Sequence, residues 1–129
     1  MISTPLFFAA TTAAFAGLDL AHKATVEATY LQPRSVTYVG VVLGLAALWS
    51  AAILATRSRL VALAGGVVLG GALGNLVSLG FWPGVPDPIE VERFAFNLAD
   101  VFVVLGFATT AAATVTFAGR NRHRLREPI

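Results

Sequence analysis

The chain contains no cysteine, which excludes disulfides, thiolate metal sites and cysteine nucleophiles and leaves no trace of a redox compartment. Charge is scarce as well. Asp, Glu, Lys and Arg make up 12% of the residues, against about 25% in soluble domains. What fills the sequence instead is apolar: 57% of it is hydrophobic and the mean hydropathy is +0.77. This composition belongs to the membrane class, and a length of 129 residues suits one unit rather than two. The net charge of +2 does not describe a nucleic-acid surface. The basic residues sit in short flanks beside apolar runs, where they set topology. The basic tail from Gly119 to Arg126 has no aromatic side chain and reads as an anchor that holds anionic lipid.

Four apolar stretches approach or reach the roughly 20 residues that a bilayer span requires: about 5–21, 36–56, 60–81 and 94–118. They predict an all-α membrane protein, a four-transmembrane-helix bundle forming a single membrane domain over 1–129. Its outer loops would be 22–35 and 82–93, and its cytoplasmic tail 119–129. The first stretch lacks the basic flank of a signal peptide and carries Asp19 and Lys23 at its far end, so a retained helix is expected. Arg57, Arg59, Arg120, Arg122, Arg124 and Arg126 would share one side, with Lys23, Arg34 and Arg93 on the other. The positive-inside rule then puts both termini and the 57–59 turn in the cytoplasm. Gly66, Gly70 and Gly74 fall on one face of the third span. Such a face lets another helix approach closely; packing within the chain is expected, with a homodimer interface as the alternative.

Ionisable groups inside a span are costly and therefore candidates for function. Asp100 is expected about two turns into the fourth span, sharing a face with Asn97 at i,i+3. The third span ends with Asn75 and Ser78 at the same spacing. The first ends with Asp19 and Lys23 at i,i+4, where they can pair. Three helices thus present polar groups at one level near the outer surface. A carboxylate at that depth must be paired, protonated or hydrated.

The segments Gly70-Gly71-Ala72-Leu73-Gly74-Asn75-Leu76 and Phe94-Ala95-Phe96-Asn97-Leu98-Ala99-Asp100 together resemble signal peptidase II, the lipoprotein signal peptidase family of bacteria. Val85-Pro86-Asp87-Pro88 falls on that family's Val-Val-Asp-Phe segment. Leu18-Asp19-Leu20-Ala21-His22-Lys23 is similar to its Asp-Gln-x-Ser/Thr-Lys signature. The resemblance implies a multi-pass protein of the bacterial cytoplasmic (inner) membrane and an intramembrane aspartyl peptidase, working with two carboxylates and no metal or cofactor. It assigns one carboxylate to Asp100. The position taken for the other falls at Ser78, and the arginine after it falls at Leu79. No His or Lys is placed to make Ser78 a nucleophile. Glu27 to Ser35 is also too short for the family's extracytoplasmic β-rich cradle. The expectation is therefore a catalytically inactive relative, an accessory or binding subunit whose partners are membrane lipids or a larger membrane protein complex, and not nucleic acid. The alternative is a divergent lipoprotein signal peptidase, with lipoprotein as substrate, in which the loop 82–88 folds inward and Asp87 serves with Asp100. Prolines on both sides of Asp87 stiffen that loop.

Overall fold

The computed structural model describes residues 3–122. Arg124 and Arg126 of the basic tail lie outside the described residues. Four helices dominate: α1 (Thr4–Thr25), α2 (Val36–Ala55), α3 (Arg59–Ser78) and α4 (Leu98–Arg120). Each is long and apolar enough to cross a membrane. At about 1.5 Å per residue they span roughly 30–35 Å, the thickness of a hydrocarbon core. The expected all-α, four-span architecture is what the chain adopts, and it is a multi-pass membrane protein.

Each helix starts where a short polar side chain satisfies one of the orphan amides of the first turn. Ser3 accepts from the Leu6 amide, Ser35 from Tyr38, Ser58 from Val61 and Asn97 from Asp100. These caps move the boundaries expected from hydropathy. The first helix runs on to Thr25, so Asp19 and Lys23 both lie within it. The third stops at Ser78 rather than Phe81, because Leu79 to Trp82 fold into a turn. The fourth begins at Leu98 rather than 94, because Asn97 is its cap and residues 94–96 form a strand.

Successive helices run in opposite directions, which brings the start of α1 and the end of α4 to one side. There the Thr4 hydroxyl donates to the Arg57 carbonyl at 3.5 Å. α3 is the central helix, with most of its length buried, whereas α2 lies almost wholly on the outside. The glycines of α3 explain why it can occupy the centre. A methyl group at Gly70 would stand 2.7 Å from the Phe15 Cβ and 2.8 Å from the Thr12 carbonyl oxygen. One at Gly66 would meet Thr11, and one at Gly74 would meet Asp19. The Gly66–Gly70–Gly74 face therefore packs against α1 within the chain. Gly71 opens a second face toward Ala99 and Val103 of α4, and Gly65 receives Ile53 of α2. α2 is held toward its inner half by this contact and by Trp49, whose indole donates to the Gly65 carbonyl at 2.9 Å.

The outer connections are not plain loops. β1 (Tyr30–Gln32) pairs antiparallel with β2 (Val85–Asp87), matching Tyr30 to Asp87 and Gln32 to Val85. β3 (Ile89–Val91) and β4 (Phe94–Phe96) form a hairpin directly above α4. The short 27–35 segment thus supplies one three-residue strand and no larger sheet. That strand determines where β2, and with it Asp87, lies.

Candidate active site

The polar cluster is built where the outer ends of α1, α3 and α4 meet β2. On α1, Asp19 and Lys23 are one turn apart on the same face. Their carboxylate and ammonium groups lie 2.6 Å apart with both side chains fully buried. Lys23 has three N–H donors, and the Nζ finds three acceptors: Asp19 Oδ2, Asn75 Oδ1 at 2.8 Å and Ser78 Oγ at 3.1 Å. The second oxygen of Asp19 accepts from the Ala99 amide at 2.9 Å, so a residue of α1 satisfies the first turn of α4. The approach needs Gly74, because a Cβ there would lie 2.6 Å from Asp19 Oδ2.

Asn75 relays this arrangement to Asp100. Its oxygen faces Lys23, and its Nδ2 donates to Asp100 Oδ1 at 3.1 Å. Asp100 Oδ2 accepts from the Asn97 amide at 3.1 Å, and the Asp100 amide donates to Asn97 Oδ1 at 3.2 Å. This reciprocal pair is a capping box. It corrects the expectation that Asn97 and Asp100 share a helical face two turns inside the span: Asn97 precedes the helix and Asp100 lies in its first turn. An i,i+3 spacing fits a helical period, but here it is the signature of a helix start.

The remaining donor group of Asn97 is directed at the outer loop. Its Nδ2 donates to Asp87 Oδ1 at 2.6 Å and to the Pro86 carbonyl at 3.3 Å. The loop that carries Asp87 is folded inward: Asp87 is 3% exposed, and its carbonyl accepts from the Thr29 hydroxyl at 3.0 Å. The flanking prolines do not prevent this. They hold β2 extended, the conformation that pairs with β1. Glu90 and Glu92 are exposed on the hairpin and do not join the cluster. Burial pushes the Asp87 carboxyl above the ordinary aspartate range, against the hydrogen bond from Asn97; the negative charge of Asp100 pushes it further up, and Lys23 and Arg34 pull it down.

Ser78 lies at the last position of α3, fully buried. Its hydroxyl lies 2.6 Å from the Gly74 carbonyl and 3.1 Å from that of Asn75. The structure does bring Lys23 to Ser78, which sequence spacing had not indicated, but as a donor to Oγ rather than as a base. Ser78 is therefore a bracket between α1 and α3. Asp100 is half-buried and lines a shallow cleft of about 330 Å³ with Phe96, Val101, Val104 and Leu105. One carboxyl thus meets the surface of α4 while the other lies under the β1–β2 pair, with a single asparagine hydrogen-bonded to both. Among the described residues, no group of three His, Asp or Glu side chains is arranged to hold a metal.

The contributions of Thr29, Pro86 and the Ala99 amide had no local signal in the sequence. The Asn97-x-x-Asp100 cap did. No curated protein matches the chain. The family model for signal peptidase (SPase) II matches residues 11–116, which include Asp19, Lys23, Asn75, Asp87, Asn97 and Asp100. The chain belongs to the signal peptidase II family.

Proposed function

We propose that the chain is an intramembrane aspartyl endopeptidase of the signal peptidase II type, with Asp87 and Asp100 as its catalytic pair. The observation that carries this reading is the buried Asp87 carboxyl, joined to the Asp100 segment through one Asn97 side chain. An aspartyl peptidase needs two carboxyls that hold one proton between them. Asp87, with its raised proton affinity, suits the protonated member, which donates to the scissile carbonyl oxygen. Asp100 then takes a proton from the attacking water as the C–O bond forms. Collapse of the tetrahedral intermediate breaks the C–N bond, and a proton from the pair passes to the leaving amine. Asn97 and Asn75 keep both carboxyls from turning away, and the Asp19–Lys23 pair fixes Asn75. The substrate class is a membrane-inserted lipoprotein signal peptide, and the setting is the bacterial inner membrane.

The second reading is a non-catalytic binding subunit in contact with membrane lipids or a larger membrane complex. It is favoured by Ser78, rather than an acid, at the end of α3 and by the three-residue β1. The two readings separate in one assay, cleavage of a lipid-modified signal-peptide substrate by the purified protein in detergent. The peptidase reading expects cleavage by the native chain and a loss of at least about a thousandfold in both Asp87→Asn and Asp100→Asn. An inert native chain that gains activity in Ser78→Asp would instead support the binding subunit.

A further inference from the structure

Arg34 lies between β1 and the cap of α2, just outside the cluster described above. The chain reaching it is stiff, since Pro33 fixes its own φ and keeps Gln32 extended. Two parts of the guanidinium are already occupied. An Nη2 donor is bonded to Gln32 Oε1, and the guanidinium carbon lies 4.5 Å from the centre of the Tyr38 ring. The third part is not: Nε is buried and has no hydrogen-bond partner among the described residues. A buried donor without an acceptor is costly. Such a donor is satisfied when a water, an ion or a ligand supplies the acceptor. The β1–β2 register sets Gln32 opposite Val85 and Tyr30 opposite Asp87, so Gln32 projects from the same face of the pair as Asp87. Arg34, bonded to Gln32, therefore lies at one end of the β1–β2 pair, whose other end carries Asp87. Its charge is felt at Asp87.

We propose that Arg34 is a substrate-positioning residue whose Nε–H donates to a main-chain carbonyl of the extended substrate segment lying over the β1–β2 face. The proposal rests on the peptidase reading. A neutral carbonyl fits the surroundings better than an anion does. The charged groups facing Asp87 are Lys23 from α1, Asp100 from α4 and Arg34 itself, and Lys23 has all three of its donors engaged. An anion bound at Arg34 would be repelled by the Asp87 carboxyl, on which the Arg34 charge acts. Arginine suits the task because its fork stays pre-organised with one arm held.

The test uses a synthetic diacylated signal peptide with a fluorescent label, presented to the full chain in lipid nanodiscs. Arg34→Gln should raise KM about tenfold, as expected for one charge-assisted hydrogen bond, with kcat within about twofold. Arg34→Lys, which keeps the charge and lacks Nε, should be impaired to the same degree; full rescue by lysine would overturn the proposal. In an Asp100→Asn background, where no cleavage is expected, Arg34→Gln should weaken binding of the same peptide about tenfold. Cleavage by the native chain with KM and binding unmoved in Arg34→Gln sinks the role of Arg34 and leaves the peptidase reading standing. Arg34-dependent binding by a chain that never cleaves does the reverse.

Discussion

Asn97 has one side chain and two obligations. Its oxygen caps α4 through the Asp100 amide, and its nitrogen holds Asp87. The protonation of Asp87 is therefore coupled to the fold and can be read in stability. Burial and then the charge of Asp100 raise the Asp87 carboxyl above its ordinary value of 3.8. The folded protein holds that proton more tightly than the unfolded chain, so the group favours folding below about pH 4 and this contribution fades as pH rises through the raised value. Asp87→Asn replaces the carboxyl with an amide that accepts from Asn97 and does not titrate. Its Tm relative to the native protein should climb as pH rises from about 4 through the raised value; parallel Tm curves would show that Asp87 is not buried beside a second carboxyl. Much of this site was legible residue by residue. Asp19, Lys23, Asn75 and Asp100 stand out because charged and amide groups are rare in spans. Asp87 was harder to place, since its position depends on pairing with Tyr30, a contact across 57 positions that no local pattern records.

At the scale of helices, small residues have two different uses. Gly70 and Gly71 are sites of contact, where a Cβ would come within 2.7 Å of Phe15 Cβ and 2.5 Å of the Ala99 carbonyl oxygen respectively. Gly40 and Gly44 of α2 have nothing within 4 Å. Gly71→Ala should destabilise the bundle by about 1–3 kcal/mol through overpacking. Gly40→Ala and Gly44→Ala should be neutral or gain up to about 1 kcal/mol from helix propensity. Thermal unfolding of the three variants in one detergent checks the contrast, and equal losses would place a partner against α2. Hydropathy found all four helices because runs of apolar residues are an unambiguous signal. It misplaced their outer ends because Leu79, Phe81, Phe94 and Phe96 are as apolar as the spans they adjoin. Their fate is decided by the turn after Ser78 and the cap at Asn97, which hydropathy does not register.

For the whole molecule, the start of α1 lies beside the Arg57 turn, and we propose, on the positive-inside rule, that this side faces the cytoplasm. The native chain has no cysteine, so single replacements report topology without background. Ala28→Cys and Glu90→Cys should react with a membrane-impermeant maleimide applied from outside intact cells, whereas Ser58→Cys should react only after permeabilisation; the opposite pattern would invert the protein. The placement of Asp19 and Lys23 one turn apart on α1 also bears on how the protein is made. Synthesis delivers α1 to the bilayer before Asn75, Ser78 or the Ala99 amide exists. A lone charge carried across on α1 would be costly, at about 2.5–3.5 kcal/mol as it passes mid-membrane. α1 enters with its counter-ion on its own next turn, so it can wait in the lipid, neutralised, for the partners that later surround it.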